Sequence, residues 1–333
     1  MSVPMTETIK PHVITPFSSR LSGTGHYLPE RVLSNDELSK TIETSDEWIF
    51  QRTGIKQRHI AADNERASDL AIAAAIPALE AANIAAKDID LIILATTTPD
   101  HTFPATATKV AHGLGARCAA FDLQAVCAGF SFALHQANMA IRLGTATKVL
   151  VIGAEVYSRI LDWQDRTTCV LFGDGAGAVV LEATNADDPR RIIDTEICSD
   201  GAYYQDLFVD GGAHDGHPGV VKMAGREVYK QAVGQMSGIV QSLTERNGHS
   251  LDELDWLIPH QANIRIMQQV GQKLGLGEDR LVATVAHHAN ISAATIPTAL
   301  NIAVQDGRIQ TGQLLAFTAL GGGFSWGGAL VRF

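Results

Sequence analysis

The segment DLQAVCAGFSFALHQAN, residues 122–138, places Cys127 where an apolar, strand-like run gives way to a helix-like stretch. That stretch is apolar on nearly all sides, which is typical of a buried helix. A cysteine at such a junction can be a small core residue, because free cysteine packs as a hydrophobe. Alternatively, the positive end of the helix lowers the pKa of the thiol and stabilises a reactive thiolate. Choosing between these interpretations requires partners elsewhere in the chain.

Composition narrows the class of protein. The chain of 333 residues is long enough for two domains or one large double unit. Its composition, 46% hydrophobic and 19% charged, is ordinary for a globular protein. A net charge of −10 disfavours general nucleic-acid binding but leaves room for a local basic patch. No apolar run approaches the roughly 18 residues of a membrane span, and the N-terminus lacks a signal-peptide pattern. The four cysteines have no CxxC spacing, so we expect reduced thiols, a cytoplasmic protein, no membrane association and no metal site.

Short apolar runs alternate with alanine-rich helical stretches, which predicts α/β layers with buried strands. The predicted strands are DIDLIILATTT, CAAFDLQAV, KVLVIGAEV and GAGAVVLEA, and the predicted helices are ASDLAIAAAIPALEAANI and SFALHQANMAIRLG. DIDLIILATTTPDH resembles ELDWLIPHQAN, and FGDGAGAVVLE resembles GGGFSWGGALVRF. This repetition predicts two similar halves that meet near residue 185.

Two glycine motifs point to functions that their context disfavours. GFSWG, residues 323–327, matches a hydrolase nucleophile elbow, but the six residues after it contain neither Asp nor His. GDGAGA, residues 173–178, resembles a dinucleotide fingerprint, but it is followed by a strand rather than the required helix. We therefore expect the glycines of residues 173–178 to form a tight turn or a close backbone approach.

Two later segments offer polar partners for Cys127. His260 follows a strand and a proline in WLIPHQANIRIM, and Asn290 lies among small residues in HHANISAATIPTAL. Each residue alone is more often a turn or capping residue. A cysteine with a distant histidine and asparagine is nevertheless the pattern of a cysteine nucleophile with polar partners.

Six segments together resemble β-ketoacyl-acyl carrier protein synthase III, of the thiolase superfamily. They are TSDEWIFQRTGIKQRHIA, DLQAVCAGFSFAL, FGDGAGAVVLE, WLIPHQANIRI, HANISAATIPTAL and GGGFSWGGALVRF, in order from about residue 22 to residue 333. The resemblance implies an α/β homodimer with a thiolase-like five-layered αβαβα architecture built from two similar halves. Its implied parts are an N-terminal extension, residues 1–21, and the halves 22–184 and 185–333.

The resemblance also implies the chemistry. Cys127 would accept the acyl group of an acyl-CoA primer, expected to be acetyl-CoA, and malonyl-acyl carrier protein would lose CO2 and attack it, initiating fatty acid synthesis. His260 Nε2–H and the Asn290 amide would hold the enolate oxygen, and the N–H groups of Cys127 and Gly322 would hold the second oxyanion. Acyl-CoA is a substrate here, so no cofactor is expected, and neither a nucleic acid nor a membrane is an expected partner.

Binding residues follow from the same resemblance. The residues implied to contact CoA are Trp48, Arg52, Arg166, Gly225 and Asn263. The indole and guanidinium groups offer flat faces for stacking, and the two arginines supply positive charge for the CoA phosphates. Those implied to dock the acidic acyl carrier protein are Arg226, Lys230, Gln261 and Arg265. Phe103 would reach across the dimer interface and close the partner's acyl pocket, favouring short unbranched primers.

Alternatives and departures remain open at this point. TALGGGF lacks the second cysteine of a thiolase, and Asn290 stands where elongating ketosynthases have a second histidine. A synthase III relative of a specialised pathway, making polyketide starter units or alkyl-quinolones, is the closest alternative; the intact triad disfavours a non-catalytic structural paralogue. Ala289, Ile291 and Leu320 stand where the family usually has Gly, Thr and Phe, which leaves primer preference and active-site geometry open.

Overall fold

The computed structural model describes residues 17–212, 215–217 and 219–333. The strands are β1 (Phe17–Tyr27), β2 (Arg31–Ser34), β3 (Gln57–Ile60), β4 (Leu91–Ala95), β5 (Ala119–Leu123), β6 (Lys148–Val156), β7 (Asp174–Asn185), β8 (Ile192–Ser199), β9 (Leu207–Val209), β10 (Val221–Met223), β11 (Trp256–Pro259), β12 (Leu314–Gly321) and β13 (Ser325–Arg332). The α-helices are α1 (Asn35–Leu38), α2 (Asp46–Thr53), α3 (Ala67–Ala82), α4 (Thr106–Leu114), α5 (Gly129–Arg142), α6 (Gly225–Arg246), α7 (Ile264–Lys273), α8 (Val285–His288) and α9 (Thr295–Gln305).

Two sheets share one strand order. The first runs β1-β7-β6-β4-β5 and the second, in the matching direction, β8-β13-β12-β11. The β4–β6 pair of the first sheet and the corresponding β11–β12 pair of the second are parallel. The pairs β1–β7 and β6–β7 of the first sheet are antiparallel, and so are the corresponding pairs β8–β13 and β12–β13 of the second. The segments that resemble each other in sequence, in β4 and β11 and in β7 and β13, occupy equivalent places. The predicted pair of similar halves is therefore confirmed.

Helices separate and cover the two sheets. The central helices α5 and α9 pack between the sheets in one core that includes Phe130 and Leu300. Alternate residues of the first sheet point outward, as Ile92 does, and are covered by α3 and α4. The outer face of the second sheet packs on α6 and α7. The order helix, sheet, helix, sheet, helix confirms the predicted five-layered αβαβα architecture.

The predicted boundary after residue 21 is wrong for the last part of the extension. Residues 17–21 lie in β1, where Phe17 pairs with Asn185 and Leu21 pairs with Leu181. Leu21 is buried in the central core. These residues belong to the first sheet because β1 satisfies the backbone hydrogen bonds along one edge of β7. Residues 1–16 of the predicted extension lie outside the described residues.

Glycines of the first sheet allow α9 and the turn before it to lie directly on the strands. A Cβ at Gly153 would come within 2.3 Å of the Ala293 carbonyl oxygen, and one at Gly177 within 2.6 Å of the Thr298 nitrogen. The expected close backbone approach at residues 173–178 is therefore confirmed. The alternative of a tight turn is wrong for Gly177, which lies inside β7.

Left-handed backbone conformations occur next to both predicted catalytic segments. Val126, Ala289 and Ser292 have φ values of 50°, 61° and 48°. Ala289 combines its φ with a ψ of −162°, a region open mainly to glycine that costs other residues about 1–3 kcal/mol. The departure from glycine noted at this position therefore carries strain, which the surrounding packing holds in place.

We predict that Ala289→Gly raises the free energy of unfolding by about 1 kcal/mol, because glycine adopts this conformation without a Cβ clash. Urea denaturation measures the change. The matched control is Ala294→Gly, since Ala294 is equally buried but has ordinary helical angles, and glycine there should cost about 0.5–1 kcal/mol. Equal destabilisation by both substitutions would contradict the strain at Ala289.

Candidate active site

Cys127 lies at the strand–helix junction that the sequence predicted. It belongs to a 3-10 turn, Val126–Ala128, between β5 and α5, and it is 5% exposed. The end of β12 lies directly against it, since a Cβ at Gly321 would be 2.6 Å from the Cys127 nitrogen. The next glycine, Gly322, borders Val126. Backbone from two distant segments thus surrounds the thiol.

The structure brings His260 and Asn290 to the same cavity as Cys127. This cavity has a volume of about 90 Å³, and all three side chains line it. His260 follows β11, and its Nδ1 lies 2.6 Å from Thr295 Oγ1. Asn290 Oδ1 accepts a hydrogen bond of 2.9 Å from the Ser292 N–H, so the Asn290 NH2 group is the end that remains available to the cavity. The predicted constellation is therefore assembled in space.

Burial favours the neutral forms of both ionisable members of this set. Burial raises the pKa of Cys127 to about 12, against a lowering contribution from the Ser292 hydroxyl, and the negative charge of Glu155 raises this pKa further. Burial also lowers the pKa of His260 to about 3, and the positive charge of His288 adds to the effect. Burial thus opposes the low thiol pKa that was expected at the helix N-terminus. The thiol must lose its proton during the reaction.

Glu155, which no sequence motif singled out, is fully buried in β6. Its Oε2 accepts hydrogen bonds from the Thr97 N–H, the Thr97 hydroxyl and the Thr98 hydroxyl at 3.0, 2.9 and 2.8 Å. Burial raises the pKa of Glu155 to about 7 despite these donors. The sequence does contain an indication of this residue, because Glu155 is an acidic residue inside the apolar run VLVIGAEV. Burying a carboxyl costs free energy, so a carboxyl in a buried strand often has a specific role.

The residues predicted for the CoA nucleotide lie together. The guanidinium carbons of Arg52 and Arg166 are 4.5 and 4.8 Å from the centre of the half-buried Trp48 ring. Arg166 also donates a hydrogen bond of 2.8 Å to the Glu43 carbonyl oxygen. An adenine stacked between Trp48 and Arg166 would need the indole and the guanidinium to be roughly 7 Å apart, which is two stacking distances. They are now 4.8 Å apart. Arg166 must therefore move before an adenine can stack between them.

A route connects this aromatic site with Cys127. The helix α2, which carries Trp48, ends at Gly54, where a Cβ would lie 2.7 Å from Ile264, the first residue of α7. Asn263 caps α7 and accepts a hydrogen bond of 3.0 Å from the Ile266 N–H. Asn263 and Gly225, the first residue of α6, both line the cavity of Cys127. Asn263 and Gly225, both implied to contact CoA, therefore lie between Trp48 and the thiol.

Three of the four predicted docking residues are exposed around this cavity. Arg226 and Lys230 lie on α6 and Arg265 lies on α7, each next to a residue that lines the cavity. Lys230 is 3.6 Å from Glu227, and its side chain is 74% exposed. These cations form a local basic surface on an acidic chain.

Gln261 is a correction to the predicted docking set, because it is fully buried. Its Nε2 donates to the Pro259 and Val282 carbonyl oxygens at 2.7 and 3.1 Å, and its Oε1 accepts from the Thr284 N–H at 2.8 Å. The side chain thus braces the loop that carries His260, and it cannot contact a docked protein.

A second, larger depression lies on the other side of Cys127. It has a volume of about 1010 Å³, and its walls include residues 97–102 and 124–126 and the glycines Gly322 and Gly323. Phe103 directly follows one of these wall segments and is 83% exposed. Phe103 is therefore not a core residue of the single chain. Such an exposed ring beside a large depression is typical of an interaction surface.

Two features are absent from the part of the chain that the structure describes. None of its helices is both long and apolar enough to cross a membrane. Nor does that part of the chain contain a cluster of three His, Cys, Asp or Glu side chains that could hold a metal ion.

Comparison with known proteins places the chain in a family. Residues 121–201 match the family model described as 3-oxoacyl-[acyl-carrier-protein (ACP)] synthase III, and residues 244–333 match the model of its C-terminal part. The chain is 55% identical over 322 residues to β-ketoacyl-[acyl-carrier-protein] synthase III of Rhodospirillum centenum, covering 96% of this chain and 100% of that one.

Solved structures agree with this assignment. The 3-oxoacyl-[acyl-carrier-protein] synthase III of Aquifex aeolicus has a TM-score of 0.90 at 43% identity, covering 95% of this chain and 100% of its own. The corresponding Pseudomonas aeruginosa structure has a TM-score of 0.91 at 39% identity, covering 95% and 98%. The chain therefore belongs to the 3-oxoacyl-[acyl-carrier-protein] synthase III family of condensing acyltransferases.

Proposed function

We propose that this chain catalyses the decarboxylative Claisen condensation of an acyl-CoA primer with malonyl-acyl carrier protein. The products are 3-oxoacyl-acyl carrier protein, CO2 and CoA, and the reaction initiates fatty acid synthesis. One observation carries the proposal: Cys127, His260 and Asn290, from three distant segments, line one cavity. Family membership supplies the reaction class. No cofactor takes part in the proposed reaction.

In the first half-reaction, Cys127 Sγ attacks the thioester carbonyl carbon of the primer and CoA leaves. The N–H groups of Cys127 and Gly322 are the proposed donors to the oxyanion, and the close packing of the glycine turn on Cys127 supports this assignment. Because burial raises the pKa of the Cys127 thiol, its proton must be transferred as the new S–C bond forms.

In the second half-reaction, His260 and Asn290 hold the enolate oxygen that decarboxylation creates. The orientation of the Asn290 amide supports its role as a donor. The Thr295 hydroxyl is 3.0 Å from the Ser292 carbonyl oxygen, to which it can donate, and 2.6 Å from His260 Nδ1. Its single proton can go to only one of these two acceptors, and that choice sets the tautomer of His260. Donation to Nδ1 leaves the hydrogen on Nε2, which is the arrangement that the proposed donor role requires.

A homodimer completes the proposed primer pocket. Phe103 is exposed in the single chain and flanks the large depression beside Cys127, so a second copy of the chain is its proposed cover. Its ring would then close the acyl pocket of the partner subunit. Reduced thiols at Cys118, Cys127, Cys169 and Cys198 support a cytoplasmic location.

A specialised-pathway synthase is the second candidate function. It would use the same three catalytic side chains, so the difference lies in the primer and not in the chemistry. Ile291 and Leu320 are buried beside the site, where the family usually has Thr and Phe. These two differences favour a different primer and so support the second candidate. Primer choice therefore distinguishes the two candidates.

We predict that the two half-reactions separate by mutation. Cys127→Ala should abolish acylation by acyl-CoA, whereas His260→Ala and Asn290→Ala should slow malonyl-acyl carrier protein decarboxylation by about 10²–10³ and leave acylation within about tenfold. Intact-protein mass spectrometry measures acylation, and CO2 release measures decarboxylation. Cys198→Ala is the matched control and should retain both acylation and decarboxylation. Acyl label on Cys127→Ala, or normal decarboxylation by the other two variants, would contradict the assignment.

We predict that the basic surface receives the carrier protein. Lys230→Glu and Arg265→Glu should raise the KM for malonyl-acyl carrier protein without changing acylation by acyl-CoA, and added salt should reduce the wild-type advantage because exposed charges are screened. Steady-state kinetics at two ionic strengths provide the measurement. Lys273→Glu, at the far end of α7, serves as a control. Carrier-protein kinetics that stay unchanged in both charge reversals would place docking elsewhere.

We predict that Phe103 limits primer length. Wild-type protein should be acylated by acetyl-CoA in preference to octanoyl-CoA, and Phe103→Ala should narrow that preference because the ring no longer closes the pocket. A competition between the two thioesters, read as mass added to Cys127, measures the ratio. Phe121→Ala, another exposed phenylalanine, is the control. If wild-type protein accepts octanoyl-CoA as readily as acetyl-CoA, the specialised-pathway candidate is favoured.

A further inference from the structure

Three buried polar side chains connect the segment that carries His260 with the segment that carries Asn290. They are Gln261, Thr284 and His288. The proposed reaction uses none of the three directly. Buried polar side chains cost free energy unless they are hydrogen-bonded, so a connected set of them beside an active site needs an explanation.

Gln261 joins the loop after β11 to the segment before α8. Its Nε2 donates to the carbonyl oxygens of Pro259 and Val282, and its Oε1 accepts from the Thr284 N–H. The Thr284 hydroxyl oxygen lies 2.7 Å from His288 Nε2 and 3.3 Å from Gln261 Oε1. A chain of short hydrogen bonds thus runs from the residue after His260 to the imidazole of His288.

The surroundings of His288 decide which ring nitrogen carries its hydrogen. Nδ1 lies 2.7 Å from the Ala289 carbonyl oxygen, which can only accept, so Nδ1 is the donor. In the neutral imidazole Nε2 is then an acceptor, and the Thr284 hydroxyl donates to it.

The neutral form of His288 is favoured by its environment. Burial lowers the pKa of His288 to about 4, against a raising contribution from the hydrogen bond to Ala289. Three nearby histidines lower this pKa further through their charge, and they are His26, His59 and His287. The ring is therefore uncharged at neutral pH, and the two hydrogen bonds keep their directions.

The peptide between Ala289 and Asn290 is held at both of its polar ends. Its carbonyl oxygen accepts from His288 Nδ1, and its N–H donates to the Leu171 carbonyl oxygen at 2.9 Å. The orientation of this peptide sets the ψ of Ala289, −162°, and with it the direction in which the Asn290 side chain leaves the backbone. A strained backbone persists only where its surroundings fix it, so the bond from His288 is a specific restraint on the Asn290 amide.

Hydrogen bonding is complete within the set. Every side-chain nitrogen and oxygen of Gln261, Thr284 and His288 has a partner. A fully bonded buried network is rigid, whereas apolar groups of the same shape would fill the space at little cost in stability. The geometry that the polar groups impose therefore explains them better than the stability that they add.

We propose that His288 is a positioning residue that holds the Asn290 amide and the His260 loop in one fixed relation for decarboxylation. This inference rests on the proposed function. Nδ1–H fixes the peptide that leads into Asn290, and Nε2 is tied through Thr284 to Gln261, which directly follows His260. The two donors to the enolate oxygen thus belong to one hydrogen-bonded unit, and His288 acts through its neighbours rather than on the substrate.

The first experiment measures the two half-reactions separately. His288→Gln should slow decarboxylation of malonyl-acyl carrier protein by about 10²-fold, because a displaced donor no longer matches the enolate oxygen. Acylation of Cys127 by acetyl-CoA should stay within about threefold of wild type, which excludes misfolding. His287→Gln, on the same helix but exposed, is the matched control and should retain both rates. Equal slowing of both half-reactions by His288→Gln would show a general structural role and overturn the proposal.

Two conservative variants separate the two contacts of His288. The amide NH2 of an asparagine can lie near the position of Nδ1 and keep the bond to Ala289, whereas the longer glutamine amide reaches toward Thr284. His288→Asn should therefore decarboxylate about tenfold faster than His288→Gln, which corresponds to one hydrogen bond. Equal rates in the two variants would contradict a role through the peptide that leads into Asn290.

A double-mutant cycle tests whether His288 acts through Asn290. Asn290→Ala removes the donor that His288 positions, so adding His288→Gln should slow decarboxylation by no more than about a further twofold. A structural defect independent of Asn290 would instead multiply the two losses, and that result would overturn the proposal.

The tautomer is measured without any substrate. In protein labelled with nitrogen-15 histidine, the ring signals that disappear in His288→Gln should show a hydrogen on Nδ1 and a bare Nε2, unchanged from about pH 6 to about pH 8. A hydrogen on Nε2 would overturn the proposed restraint on Ala289.

The outcomes are distinguishable. Wild-type decarboxylation rates in His288→Gln would overturn the positioning role and leave the proposed function intact. A wild-type protein that does not decarboxylate malonyl-acyl carrier protein would contradict the proposed function, whereas the nitrogen-15 signals would still decide whether the His288 network exists.

Discussion

The active site depends on the close approach of residues 290–298 to the first sheet. Gly153 and Gly177 have no Cβ at the two places where one would meet the backbone of this segment. The segment can therefore lie against the start of α5, where Cys127 is. Because a pair of backbones in contact leaves little room for adjustment, the position of Asn290 relative to the thiol is set by packing rather than by loop flexibility. The hydrogen bonds of Asn290 to Leu171 and Gly173 fix the same segment from the other side.

The duplicated architecture explains why the functional groups converge. The 3-10 turns Val126–Ala128 and Ser292–Ala294 precede the equivalent central helices α5 and α9, and the two turns pack on each other. The equivalent strands β4 and β11 end near Thr96 and His260. Equivalent places in the two halves thus carry different chemistry: one half supplies the thiol and its threonine-bound carboxyl, and the other supplies the imidazole and the amide. A site between two such halves needs no long loop to assemble it.

Burial then determines how this site reacts. Taking the thiol, imidazole and carboxyl out of water shifts each pKa toward the neutral form, so the resting site holds few charges. A dry site strengthens hydrogen bonds to a developing oxyanion, but it also removes water as a proton acceptor. The strain at Ala289 is localised next to these groups, as expected where geometry is imposed on the backbone.

The sequence by itself determined the layered α/β fold, the two similar halves and the identities of Cys127, His260 and Asn290. Strand and helix periodicity, repeated segments and motif context are local properties, so they can be read without coordinates. Only the tertiary structure decided that Gln261 is buried, that Phe103 is exposed and that residues 17–21 belong to β1. It also showed that burial opposes the expected low thiol pKa and revealed the buried carboxyl of Glu155, because burial depends on neighbours that are remote in sequence. Solvent exclusion is a property of the assembled layers, and no single segment encodes it.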